Sequence, residues 1–309
     1  MVGLCWTYET LCRLTPILSR NAGSPIEPED LNPIIQHLLT TCPGSTIFGV
    51  GGRSVVLSIT EDIAAKVSFK RDGENLRHEQ SIFELLNQAP CPYILHPFLC
   101  VPDVTYMQLF KNGTLYERVS MIDKPRPVLQ WMLQLSEAVA CLESVGYAHG
   151  DLNPRNILLD NQDQLKLIDL DFALKIGDGL EVGMEPYVHA YKVGQLIGGG
   201  TYGIAGPVTE QFALGSIFWY MSRGTELYAE LDGVDQVDRL IEGEFPVLDR
   251  DSPIDGIIFD CWHGQFESIA QLSARVRQIF VFDRKFEESK VACEQRHKVL
   301  IGEKCSSSE

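Results

Sequence analysis

The stretch that decides the fold is residues 149–169, which read HGDLNPRNILLDNQDQLKLID. Apolar residues at 157–159 and again at 167–168 flank a polar turn, and this pattern predicts two short β-strands. Pairing of these strands brings the polar residues at the two ends of the stretch close together. The side chains gathered in this way are two carboxylates and one amide, from Asp151, Asp169 and Asn156.

These three groups are the ones that phosphoryl transfer requires. One carboxylate faces the acceptor hydroxyl, while an amide and a second carboxylate hold Mg²⁺ against the phosphates of ATP. The spacing from Asp151 to Asn156 to Asp169 resembles that of the catalytic loop and metal-binding segment of protein kinases. The surrounding residues are similar to those of kinase-like proteins of filamentous fungi. The resemblance implies that Asp151 accepts or orients the hydroxyl proton and that Asn156 and Asp169 hold the metal.

Composition bounds the class of protein. The chain has 309 residues, of which 45% are hydrophobic and 22% charged, and this predicts one large or two small folded domains. A net charge of −16 argues against nucleic acid or an anionic membrane as partner, because both would be repelled. The nine cysteines include no closely spaced pairs of the zinc-ligand type. We therefore expect a soluble, reduced, intracellular protein of the cytoplasm or nucleus.

The resemblance implies an α+β, two-lobed protein-kinase fold and covers residues 46 to about 280. It divides the chain into an N-terminal extension at 1–45, an N-lobe at 46–110, a C-lobe at 111–281 and a charged C-terminal tail at 282–309. The N-lobe is expected to have five strands and one main helix, and the C-lobe to be larger and mostly helical. Within the extension, Asn32 and Pro33 predict the capped start of an amphipathic helix.

Residues 47–59 predict two strands joined by a glycine turn. Gly49 and Gly51 lie in this turn, where backbone amides can approach phosphates closely, and Val56 is expected to pack on the adenine ring. A plain hairpin with glycines has the same pattern. Ser54 stands where kinases usually carry the third glycine, which predicts a less flexible loop.

Lys66 lies in the middle of a strand predicted at 63–69, and a helix predicted at 74–86 follows. In kinases, the lysine at this place holds the α and β phosphates and pairs with a glutamate of the helix. The family register favours Glu79 as this partner over Glu74 and Glu84. A solvated strand lysine is the alternative.

The resemblance also implies where the base of ATP would bind. Met107 is expected behind the adenine pocket, in the strand predicted at 104–110. Residues Gln108 to Phe110 are expected to form the hinge whose backbone binds the base. ATP and Mg²⁺ are the implied cofactors.

Several positions depart from the family pattern. Gly150 replaces the arginine before the catalytic aspartate, and Asn153 replaces the lysine of serine/threonine kinases. Leu170 and Asp171 stand where the family usually has phenylalanine and glycine, which predicts a stiffer metal-site hinge. Arg155 is placed where some tyrosine kinases carry arginine, and we expect it to stabilise the transferring phosphate, with an ordinary surface arginine as the alternative.

No serine, threonine or tyrosine occurs between Asp169 and Tyr187, so the usual activation-loop phosphate acceptor is absent. Gly150 agrees with this, because the missing arginine normally binds that phosphate. We therefore predict activity without activation-loop phosphorylation.

A second glycine cluster lies further along the chain, at Gly198, Gly200 and Gly203. It is rejected as a phosphate loop because no lysine occurs between residues 192 and 285, and a phosphate loop needs a strand lysine after it. We expect it to be an insertion that forms a flexible loop. The buried helix that follows carries Glu210 in place of the family's aspartate, which anchors the catalytic loop.

Three functions are consistent with these motifs. The first is an ATP-dependent protein kinase that phosphorylates serine or threonine hydroxyls of a protein substrate. The second is a pseudokinase that binds nucleotide or partners without chemistry, and the third is a small-molecule phosphotransferase. Four departures favour the pseudokinase, namely Ser54, Asn153, Leu170 and Asp171. Four intact residues oppose it: Lys66, Asp151, Asn156 and Asp169.

Overall fold

The structure is a computed structural model and describes residues 31–189, 191, 200–249 and 251–306. Within them the chain forms a β-rich N-lobe and a mostly helical C-lobe. One cluster of buried apolar side chains lies in the N-lobe, and a larger one fills the C-lobe and extends to Ile82, Phe83 and Leu86 of the N-lobe. The predicted α+β, two-lobed fold class is confirmed.

The N-lobe is a five-stranded antiparallel sheet with the order β1-β2-β3-β5-β4. Its strands are β1 (Thr46–Val50), β2 (Ser54–Ser58), β3 (Ile63–Ser68), β4 (Pro97–Val101) and β5 (Val104–Gln108). Two helices accompany the sheet, α1 (Pro33–Thr41) and α2 (Glu74–Leu86). The observed bounds of α2 are those predicted from the sequence.

Helix α1 belongs to the N-lobe core. The Asn32 side chain accepts a hydrogen bond from the Ile34 amide at 3.1 Å, which satisfies one of the free donors at the start of the helix. The apolar face of α1 is buried against β2 and β3 by Ile35, Leu38 and Leu39. The predicted capped amphipathic helix is confirmed.

The sheet register places the glycine strand, Val56 and Lys66 side by side. Gly49 lies opposite Val56, and Val56 lies opposite Lys66 on the next strand. Residues that face each other in neighbouring strands project from the same face of the sheet. The predicted phosphate-binding and adenine-binding residues therefore share one face.

The segment before β4 links the two lobes, and for this reason β4 is shorter than predicted. The residues from Ile94 to Val101 predict one strand, but the sheet begins only at Pro97. Residues 93–95 pair instead with a strand of the C-lobe, since the Leu167 amide bonds to Tyr93 at 2.8 Å and the Leu95 amide bonds to Leu167 at 3.0 Å.

The C-lobe consists of helices and two short antiparallel pairs of strands. The helices are α3 (Leu115–Val119), α4 (Val128–Ser144), α5 (Pro207–Arg223), α6 (Gly233–Glu242), α7 (Pro253–Trp262) and α8 (Ile269–Ser306). Strands β6 (Tyr147–Ala148) and β9 (Leu174–Lys175) pair with each other, as do β7 (Ile157–Leu159) and β8 (Leu165–Leu167). The β7–β8 pair is the hairpin predicted from the opening stretch.

The helices of the C-lobe differ in how deeply they are buried. Helical spacing of four apolar residues predicts a buried helix face, and all four are buried in α4: Trp131, Leu135, Val139 and Leu142. The charged stretch from residue 282 does not form a separate element but continues α8, and residues 281–298 of this helix are exposed throughout. Within the described residues, no helix is both long and apolar enough to cross a membrane.

Candidate active site

A cavity of about 610 Å³ lies between the lobes, a size typical of small-molecule sites. Both lobes line it, and it contains most of the residues that the sequence predicts for nucleotide binding. These are Gly49, Gly51, Val56, Lys66, Glu79, Met107, Gln108, Phe110, Arg155 and Asp169. Leu158 and Ile168 also line the cavity and were not predicted, because the uniformly apolar runs that contain them predict strands but not which residue faces the cavity.

Lys66 lies in the cavity wall and contacts three carboxylates. Its ammonium lies 3.0 Å from both carboxylate oxygens of Glu79, 2.7 Å from Asp169 Oδ1 and 2.7 Å from Asp171 Oδ1. The structure places Glu79, rather than Glu74 or Glu84, against the lysine. Asp171 was not predicted as a partner, because its sequence position indicated only a stiffer hinge.

Three carboxylates around one ammonium leave an excess of negative charge in a nearly buried place. Burial lowers the pKa of Lys66, but the three carboxylates outweigh it and hold that pKa well above its usual range. Burial raises the pKa of Glu79 to about 7, against the opposing effect of Lys66. Burial also tends to raise the pKa of Asp169, but Lys66 outweighs it and lowers the value. Lys66 is therefore charged, and Asp169 is ionised and ready to bind a cation.

Asp151 is held in a fixed orientation by two amide side chains. Asn156 Nδ2 donates to Asp151 Oδ2 at 2.9 Å, and Asn153 Nδ2 donates to Asp151 Oδ1 at 3.2 Å. Asn153 also accepts a bond from the Arg155 amide at 3.0 Å and so caps the turn that carries Asn156. Asn153, which the sequence indicated only as a departure from lysine, therefore orients the Asp151 carboxylate. Burial raises the pKa of Asp151.

The donor set fits a magnesium ion, which prefers oxygen ligands from carboxylates and amides. Because Asn156 uses its nitrogen to bond Asp151, its oxygen is the atom that would bind the metal. Asp169 lines the cavity with its side chain one-third exposed, and its backbone is left-handed, with φ 66°. The Ile168 amide bonds to the Asn156 carbonyl at 3.0 Å, so the two predicted ligands are tied to each other through the backbone.

Glu210 of helix α5 anchors the start of the catalytic loop. Glu210 accepts hydrogen bonds from the His149 amide at 2.8 Å and from the Gly150 amide at 3.2 Å. Glu210 is buried, and burial raises its pKa. The longer glutamate therefore makes the contacts that the resemblance implies for an aspartate.

Gly150 occupies a backbone conformation that explains why no larger residue is found there. Its φ is +76°, and a Cβ atom at this position would lie 2.6 Å from the Phe172 carbonyl oxygen. We expect Gly150→Ala to lower the free energy of unfolding by about 1–3 kcal/mol, through the strained φ and the displaced backbone. Gly150→Arg carries the same Cβ and should lower activity rather than raise it.

Gly146→Ala provides a matched control for this prediction in denaturant unfolding. Its φ is +84°, but nothing lies within 4 Å of the added Cβ, so only the cost of the left-handed backbone remains. Equal losses in the two variants would contradict the role assigned to the Phe172 contact.

The activation segment is paired with residues of the second glycine cluster. The Leu180 amide bonds to the Gly203 carbonyl at 2.9 Å, within an antiparallel arrangement of residues 177–180 with 202–205. Glu181 accepts bonds from the amide and the hydroxyl of Thr201 at 3.1 and 2.7 Å. Residues 200–205, which include Gly200 and Gly203 of this cluster, therefore differ from the expected flexible loop, because their backbone groups bond to the activation segment. Gly198 lies outside the described residues.

Arg155 lies at the cavity mouth but is engaged by protein groups. Its guanidinium stacks 3.9 Å above the Tyr116 ring and lies 3.6 Å from Glu226, which also accepts a bond from the buried Tyr187 hydroxyl at 2.9 Å. A role of Arg155 toward phosphate stays a prediction.

At the predicted hinge, the Leu109 amide donates a hydrogen bond to the Asp62 carbonyl at 2.9 Å.

Comparison with known families agrees with this geometry. The sequence model described as "Protein kinase domain" matches residues 46–258, which is more than half of the chain. The match contains the cavity, the Lys66 cluster and the catalytic loop. The chain belongs to the protein kinase family.

Individual relatives are distant. The chain is 33% identical to human "Myotonin-protein kinase" over 40% of this chain and 21% of that protein. It is 28% identical to "Maternal embryonic leucine zipper kinase" of Xenopus tropicalis over 50% and 26%, and 26% identical to "CBL-interacting serine/threonine-protein kinase 20" of Arabidopsis thaliana over 63% and 44%. The chain thus spans less than half of the length of each relative. The resemblance to fungal proteins stays a prediction.

Proposed function

We propose that this protein is an ATP-dependent protein kinase that transfers the γ-phosphoryl group to serine or threonine hydroxyls. The observation that carries the proposal is the oriented Asp151 carboxylate, bonded to Asn156 beside a cavity whose wall holds Lys66 and Asp169. A chain that only bound partners would not need this carboxylate held by two amides. One of the relatives is named as a serine/threonine-protein kinase, and this supports serine or threonine as the acceptor.

Each residue has one task in this proposal. Lys66 binds the α and β phosphates, and Asn156 and Asp169 hold the magnesium ion, which neutralises charge on the transferring phosphate when bound. Asp151 accepts a hydrogen bond from the acceptor hydroxyl and orients it for attack. Val56 and Met107 enclose the base in the apolar part of the cavity.

The activation segment is proposed to work without a loop phosphate. Residues 200–205 bond to it along the backbone and supply the order that phosphorylation provides in other kinases. Tyr187 is buried, and its hydroxyl already bonds to Glu226, so this tyrosine is poorly placed to be a phosphate acceptor.

Nucleotide binding is tested first, by thermal unfolding. We expect ATP to raise the melting temperature only when Mg²⁺ is present, and a ligand at 100 times its Kd stabilises the folded state by about 2.7 kcal/mol. Asp169→Asn should remove most of the Mg²⁺ dependence. A wild-type protein that shows no shift at millimolar Mg·ATP would contradict nucleotide binding altogether.

Transfer is then measured with γ-labelled ATP, Mg²⁺, a panel of generic protein substrates and a panel of hydroxyl-bearing metabolites. Label on serine or threonine supports the proposal. Enzyme that has first been treated with phosphatase should transfer the label equally well. Label found only on a metabolite would establish the small-molecule phosphotransferase instead. Binding of Mg·ATP without any transfer would establish the pseudokinase.

A further inference from the structure

All three N–H donors of the Lys66 ammonium are used by carboxylates. They bond to Glu79 at 3.0 Å, to Asp169 at 2.7 Å and to Asp171 at 2.7 Å. An ammonium group has three donors and no further site for a hydrogen bond. Lys66 can therefore bond to a phosphate oxygen only after one of these three bonds breaks.

Asp171 reaches Lys66 from outside the nucleotide cavity. Glu79 and Asp169 line the 610 Å³ cavity together with the lysine, whereas Asp171 lines a different cavity of about 660 Å³ beside His78 and Phe172. The Asp171 side chain is only 7% exposed. Asp171 is therefore much less accessible from the nucleotide cavity than Asp169, whose side chain is 33% exposed.

The three bonds differ in how readily they can be released. Glu79 is 2% exposed and also accepts a bond from the Leu170 amide at 3.1 Å, so it is fixed on its helix. Asp169 has its side chain 33% exposed in the nucleotide cavity and is the proposed metal ligand. Carboxylate oxygens of Glu79, Asp169 and Asp171 lie within 4.8 Å of one another, but only the Asp169 side chain is substantially exposed, so it is the carboxylate that a divalent cation in the nucleotide cavity draws away from Lys66 first.

We propose that Asp171 makes nucleotide binding dependent on the metal, by occupying the Lys66 donor that would otherwise be free. Lys66 then contacts a phosphate only after a divalent cation has drawn Asp169 away. With glycine at position 171, as in the family pattern, one donor of the lysine would be available without metal. This inference rests on the proposed function, since it concerns the binding of ATP at the same site.

The test is calorimetric binding of a non-hydrolysable ATP analogue to the full chain, in Mg²⁺ and in EDTA. We expect Asp171→Ala to tighten metal-free binding about 10-fold, the value of one hydrogen bond to a charged group, and to change binding in Mg²⁺ much less. Asp171→Asn keeps the shape and removes the charge, so it should act in the same direction with a smaller change. If the alanine variant does not fold, the asparagine variant decides.

Two controls separate this effect from a general change in charge. Asp178→Asn removes an exposed carboxylate from the same second cavity and should leave both affinities unchanged. In a Lys66→Met background, Asp171→Ala should no longer tighten metal-free binding, because the donor that it releases is absent.

The outcomes are distinguishable from failure of the proposed function. Wild type that binds the analogue in Mg²⁺, together with an Asp171→Ala variant that binds no tighter in EDTA, overturns this inference alone. Weaker binding of the variant in Mg²⁺ would instead show that Asp171 is a metal ligand and also overturns it. A wild type that binds no analogue under either condition overturns both.

Discussion

Asp151→Ala is expected to lower phosphoryl transfer by about 10²- to 10⁴-fold while leaving Mg·ATP binding nearly unchanged. The carboxylate is held in one orientation by Asn153 and Asn156. Removing it does not release the metal ligand, because Asn156 Nδ2 also donates to the Asp151 backbone carbonyl at 2.9 Å. Single-turnover transfer and calorimetric Kd measure the two effects separately.

Two variants control this experiment. Asp151→Asn keeps the shape of the side chain and cannot accept a proton, so it should be nearly as slow as alanine. Asp238→Ala removes an exposed carboxylate on α6 and should transfer at the wild-type rate. Activity in Asp151→Ala equal to that of wild type would show that another protein in the preparation supplies the transfer.

Glu210→Ala is expected to lower the free energy of unfolding by about 2–6 kcal/mol. The side chain satisfies the amides of His149 and Gly150, and each buried donor left unpaired costs about 1–3 kcal/mol. Because both amides precede Asp151 directly, transfer should fall as well in the molecules that remain folded. Urea unfolding followed by fluorescence measures the change in stability.

An amide variant and an exposed control test this anchor. Glu210→Gln retains one acceptor oxygen and should lose about half as much stability as alanine. Glu242→Ala, an exposed glutamate at the end of α6, should change stability by less than about 0.5 kcal/mol. If Glu210→Ala were as stable as Glu242→Ala, the anchoring role would be wrong.

The local elements around the site could be predicted from the sequence because their signals lie within contiguous residues. Helical spacing of apolar residues predicted α2 with the bounds that are observed, Glu74–Leu86, and the apolar runs predicted the β7–β8 hairpin. The pairing of Lys66 with Glu79 needed the family register in addition, since Glu74 and Glu84 lie on the same helix.

The sequence by itself thus determined the fold class, through its resemblance to a known family, and predicted the residues that we propose carry the chemistry, because motif spacing and periodicity are properties of neighbouring residues. Only the tertiary structure decided which distant groups meet. It placed Asp171 on Lys66, 105 residues away in the chain, and bonded Gly203 to the activation segment at Leu180. The spacing of residues along the chain does not predict such contacts. They depend on how strand β3, the β7–β8 hairpin and helix α5 are oriented when the apolar faces of the two lobes are buried together.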